Sequence, residues 1–185
     1  PDKQKQEESG GITVDNSSAE MHTTIYSIAE SPRDEKQIWV GTDDGRVQLT
    51  RDGGAHWSNL TPNIKGLPPA SWVSSISASP AQAGTAYATF DRHTYGDLTP
   101  WAYRTTDYGQ SWTRIAAPTQ GVRGYAHILR EDPLAAKVLY LGTEFGHGVG
   151  AALMDHAVAG QHLVVHLHQL ALGAAHLAGG QLALL

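Results

Sequence analysis

Residues 50–57 read TRDGGAHW, and residues 105–112 read TTDYGQSW. Both satisfy Thr-x-Asp-x-Gly-x-x-Trp: Thr50, Asp52, Gly54 and Trp57 in the first, Thr105, Asp107, Gly109 and Trp112 in the second. Each residue type has a local task. A carboxylate folds back onto backbone N–H groups just downstream and holds a tight turn. Glycine supplies the positive φ that a hairpin reversal needs. Tryptophan opens the next strand with a large apolar ring. A catalytic carboxylate repeated once per structural unit serves no chemistry, so Asp52 and Asp107 are assigned to architecture.

The motifs sit inside a longer repeat. TIYSIAESP (24–32), VSSISASP (73–80) and YAHILREDP (125–133) are short alternating stretches that end in a proline turn. Such alternation marks a half-buried strand. QIWVGTDDG (37–45), TAYATFD (85–91) and VLYLGTEFG (138–146) follow, rich in aromatic and β-branched residues as buried strands are. Third strands follow at 46–52 and 102–107, and fourth strands at 56–62 and 111–118, beyond the turn. Four strands per unit of about fifty residues is the signature of a propeller blade, which buries its faces only by stacking on neighbours. The expected fold is all-β, part of a β-propeller of four-stranded antiparallel blades. Residues 22–146 hold two complete blades and the start of a third. Residues 1–21 form an N-terminal segment in which 11–20 supplies an outer strand of a preceding blade. Residues 147–185 form a tail outside the propeller, helical or disordered.

The twin motif resembles the Asp-box, or BNR repeat, of sialidases and sortilin-type propellers. Over about residues 8–146 the chain is similar to bacterial exported proteins with sortilin-like or glycosyl-hydrolase-like repeats. The resemblance implies a secreted or periplasmic location and a folding role for the boxes at the blade periphery. It implies a loop face that binds carbohydrate or protein, with the remaining blades of a parent chain as further partners. The alternative is part of a glycoside hydrolase, sialidase-like or xyloglucanase-like, whose active site needs blades absent here and which is inactive alone. No Arg-Ile-Pro start motif of a sialidase is present, and no residue is assigned to catalysis.

Composition narrows the partners. The net charge is −5 and the 13 Lys/Arg are dispersed, which excludes a nucleic-acid footprint. Cysteine is absent, so disulfides and thiolate metal sites are too. The start, PDKQKQEESGG, lacks an apolar core and does not read as a signal peptide.

Candidate ligand contacts fall on the loops. FDRHTYGDLTPW (90–101), expected as one long loop between second and third strands, gathers Asp91, Arg92, His93, Tyr95, Asp97 and Trp101. Carboxylates beside aromatic rings suit sugar binding, and Asp91 with Asp97 would form an acid/base pair if about 5–10 Å apart. The inter-blade loops add Trp72 (60–72) and Arg123, Tyr125 and His127 (117–127); Trp72 and Tyr125 would line one mouth, but core packing of both is the favoured account. The blander account is an ordinary polar loop with core-packed aromatics. Asp43, Asp44 and Glu144 occupy equivalent turns but match no compact calcium loop. No metal or other cofactor is expected.

The tail breaks the pattern. Residues 147–185 hold nine Ala, nine Leu, six His, six Gly and one acid, Asp155, with no Lys, Arg or aromatic residue. Three readings compete: a helix from Ala151 to Leu172, a membrane segment at 163–185, and translation in a shifted frame. The frame shift is favoured, because the break falls in mid-blade. Three His, two Gln and three Gly argue against membrane insertion. His162, His166 and His168 lack a flanking carboxylate and are given no metal role.

Overall fold

The computed structural model describes residues 24–118, 122–135, 138–145 and 151–152. The segment 1–21, with its expected outer strand, and tail residues 153–185, with His162, His166 and His168, lie outside these.

Three antiparallel sheets follow one another along the chain. The first is β1 (Ile25–Ser31), β2 (Asp34–Thr42), β3 (Val47–Thr50) and β4 (Ser58–Asn59). The second is β5 (Trp72–Ala78), β6 (Ala86–Arg92), β7 (Asp97–Thr105) and β8 (Thr113–Ala116). In both, order in the sheet equals order in the chain. The third pairs β9 (Ala126–Glu131) with β10 (Leu139–Thr143), and β10 with β11 (Ala151–Ala152). Thus the first alanines of the tail take the place of a third strand.

Burial on both faces follows the two-residue period of the strands. In β6, Ala86, Ala88 and Phe90 face the first sheet, where Trp39, Val47 and Leu49 meet them. Tyr87, between them, joins Ala102 and Ala116 against Ala126, Leu129, Leu139 and Leu141 of the third sheet. Each large apolar side chain fully buried this way contributes about 1.5–3 kcal/mol. Close approach also needs glycine. A Cβ on Gly41 would lie 2.8 Å from Val73 Cβ of the second sheet. Hydroxyls stitch the inner strands: Ser27 Oγ accepts from Ile76 N at 2.9 Å, and Ser74 and Ser77 donate to the carbonyls of Ala126 and Leu129, both at 2.9 Å.

Two features differ from expectation. The stretch 90–101 is mainly strand rather than loop: β6 runs on through Arg92 and β7 begins at Asp97. Only His93–Tyr95, a 3-10 turn, and Gly96 at φ 72° reverse the chain. Pro100 is tolerated there because β8 ends opposite Ala102, so the proline faces no strand on that side. The first outer strand is also shorter than expected. After Asn59 the chain turns into a 3-10 segment at Thr61–Asn63, with Pro62 in its first turn.

Candidate functional site

In an antiparallel meander, the first-to-second and third-to-fourth turns lie at one end of the sheet. The second-to-third turn and the connections between sheets lie at the other. The twin motifs therefore sit at the end opposite the candidate loops. There each turn docks on its own sheet's first hairpin: Gly53 N donates to Lys36 O and Tyr108 N to Gly84 O, both at 2.9 Å.

The two turns repeat one hydrogen-bond set. Thr50 Oγ1 donates to Asp52 Oδ1 at 2.8 Å and accepts from Gly54 N at 2.9 Å; Thr105 does the same with Asp107 and Gly109 at the same distances. Asp52 Oδ1 accepts from His56 N, and Asp107 Oδ1 from Ser111 N, each at 2.9 Å. The remaining oxygens meet His56 Nδ1 at 2.6 Å and Ser111 Oγ at 2.5 Å. These donors hold both carboxyls below the usual range, led by the backbone N–H of His56 for Asp52 and the Ser111 hydroxyl for Asp107. The position after each aspartate is left-handed: Gly53 at φ 72° and Tyr108 at φ 59°. Tyr108 takes that conformation with its ring under Arg51, a residue of the first turn, 3.9 Å from guanidinium to centroid. The turns thus touch each other at the rim.

The candidate loop residues divide into two groups. One runs across the second and third sheets. His93 Nδ1 lies 2.8 Å from both oxygens of the buried Asp91, a contact that needs the Nδ1–H form. The His93 ring stacks on Tyr125, centroids 4.9 Å apart at 22°, and Tyr125 tilts against His127 at 4.7 Å. The Tyr125 hydroxyl donates to Glu144 Oε2 at 2.8 Å, and His127 Nε2 lies 3.0 Å from the same oxygen. The bond to Glu144 pushes the Tyr125 hydroxyl up to about 12. His127 and then Tyr125 hold the Glu144 carboxyl below its usual range. The sequence places His127 on a candidate loop and Glu144 at a turn, but groups neither with Asp91 and His93. The signal was there: Asp43, Asp91 and Glu144 close the second strands of successive sheets, opposite Thr24, Trp72 and Tyr125.

The other group surrounds Asp97. Arg92 Nε is 3.3 Å from Asp97 Oδ2, which also accepts from Trp101 Nε1 at 2.9 Å. Burial raises the Asp97 carboxyl, but the Thr99 hydroxyl and N–H, the Trp101 indole and Arg92 together outweigh it and hold it below the usual range. Arg92 lies 4.7 Å from the Tyr95 centroid, and Arg114 lies 4.0 Å from that of Trp101. Beside this group a shallow pocket of about 510 Å³ is lined by Asp97, Leu98, Pro100, Val122 and Arg123, among others. Trp72 joins neither group; it packs edge-on to Tyr26 of the first sheet at 4.7 Å. Among the described residues no His/Asp/Glu cluster is arranged for a metal, and no helix is long and apolar enough to cross a membrane.

No family model matches the chain, and no curated protein matches it in sequence. Solved structures do. YCF48 from Cyanidioschyzon merolae superimposes over 79% of this chain with TM-score 0.54 and 19% identity. The Niastella koreensis GH74 enzyme covers 76% at 0.51 and 12% identity, and AFV00434, an ancestral GH74 enzyme, 70% at 0.50 and 23%. These are β-propeller proteins. The fold is a β-propeller segment. At these identities the likeness shows fold alone. The chain corresponds to 38% of the YCF48 chain and to 22% and 17% of the two enzymes.

Proposed function

We propose that the chain is a propeller module that binds a ligand through its loop end, at the run Asp91–His93–Tyr125–His127–Glu144, and that the ligand is a polypeptide. One observation carries this reading: the run presents polar edges, the imidazoles of His93 and His127 and the Glu144 carboxylate, each half-exposed, while the Tyr125 ring between them is buried and stacked on His93. A sugar-binding ledge keeps a bare ring for the pyranose face, and the run itself offers none; the exposed rings of Tyr95 and Phe145 lie outside it. Fixed donors and acceptors in that arrangement suit backbone amides and polar side chains.

Hydrolysis by Asp91 and Asp97 is the less favoured reading. Each carboxylate is already engaged, by His93 in one case and by Arg92, Thr99 and Trp101 in the other. The twin turns are read as Asp-boxes with a folding role, and the parent as an exported protein with further blades; both rest on the resemblance of the motifs.

Parallel peptide and glycan arrays test the proposal, followed by titration of His93→Ala and of Asp91→Asn. Peptide binding that weakens at least tenfold in His93→Ala supports it. Glycan binding alone transfers the reading to carbohydrate. Glycan turnover that Asp91→Asn abolishes favours the hydrolase.

A further inference from the structure

The two internal interfaces define what each face of a sheet is built to meet. Ile28, Ile76 and Leu129 hold one register position in the first strands, opposite Val40, Ala88 and Leu141. Ile76 and Leu129 are each 1% exposed, packed toward the preceding sheet, whereas Ile28 is 62% exposed. The turn tryptophans repeat the contrast: Trp112 is 8% exposed against the first sheet, and Trp57 is 45% exposed. The leading face of the first sheet is thus shaped for a sheet that would stand before it.

The opposite face of the third sheet shows the complement. Trp39, Tyr87 and Tyr140 hold one position in the second strands, opposite Ala29, Ser77 and Arg130. Trp39 and Tyr87 are buried, at 0% and 3%, against the sheet that follows each. Tyr140, with no such sheet after it among the described residues, is 42% exposed, and Ile128 beside it 40%.

We propose that, where no further blade of a parent chain covers these faces, a second copy of this chain docks head to tail: the trailing face of one copy's third sheet covers the leading face of the other's first. The chain carries both halves of the interface that it forms twice internally. Two different patches in contact make a heterologous association, which closes a ring or extends. Two copies of the three described sheets give six, within the usual four to eight of a closed propeller.

The test is sedimentation velocity of the full chain over a wide concentration range, with Ile28→Glu on the leading face and Tyr140→Glu on the trailing face. Trp57→Arg and Ile128→Lys form a second pair, should either of the first fail to fold. The wild-type chain is expected to rise with concentration from its monomer mass of 19.8 kDa to twice that or more. Each variant alone stays monomeric, because every junction needs one intact face of each kind. Mixing a leading-face variant with a trailing-face variant restores a species of twice the monomer mass. A wild-type chain that stays monomeric throughout overturns the proposal and leaves the face to a blade from elsewhere. So does association that survives both substitutions.

Discussion

Trp112, from the second twin turn, stands edge-on to Trp39 of the first sheet, ring centroids 6.1 Å apart at 84°. The relationship explains why the motif ends in tryptophan. The turn is fixed by its own Thr and Asp, and the ring it launches reaches back to the preceding sheet. Trp57, in the same place one sheet earlier, is largely exposed. Trp112→Ala should therefore cost about 3–5 kcal/mol, as for other buried large-to-small changes, and Trp57→Ala less than half as much. Urea unfolding of dilute, monomeric protein measures both; equal losses would detach the motif from sheet stacking.

Thr105 is buried, and its hydroxyl accepts from Gly109 N while donating to Asp107. Thr105→Val keeps the shape and orphans the Gly109 N–H. The expected loss is about 1–3 kcal/mol, with unchanged affinity at the loop end. A selective loss of affinity with unchanged stability would put the turn in the site.

The Asp107 carboxyl has a lowered folded-state value, chiefly through the Ser111 hydroxyl. Its contribution is complete above the unfolded carboxylate value of about 3.9 and is lost as pH falls through the folded value. Asp107→Asn should be less stable than wild type at neutral pH, with the gap closing below about pH 4. A gap that stays constant down to pH 2 would contradict the assignment.

Tyr125→Phe removes one of the two donors on Glu144 and leaves the ring that stacks on His93. The Glu144 carboxyl should then titrate closer to its ordinary value, while His127 still holds it somewhat low. Carbon-detected NMR titration of the Glu144 side chain reads this directly; an unmoved midpoint would mean that the hydroxyl bond does not form in solution.

How much of this was legible beforehand depends on what fixed each feature. The Asp-Gly-Trp spacing and the strand alternation are local, so the sheet order and the twin turns followed from them. The stretch 90–101 was misjudged because Asp, His, Gly and Pro signal loop. Pairing of Trp101 with Phe90 and of Asp97 with Arg92 extended the strands nonetheless. The candidate residues were named for their chemistry, and their grouping was not legible. Tyr125 meets His93 rather than Trp72, and His127 and Glu144 complete the run. That grouping depends on how one sheet stacks on the next, and no local pattern records it.

The central claim is that the loop end between the second and third sheets is the binding surface. An amide chemical-shift map, recorded as the tightest peptide from an array is added, tests it most directly. The account predicts perturbations concentrated at Asp91–His93, Tyr125–His127 and Glu144, with the turns at 50–57 and 105–112 unmoved. Perturbations centred on those turns, or an unchanged map with every array peptide, would contradict it.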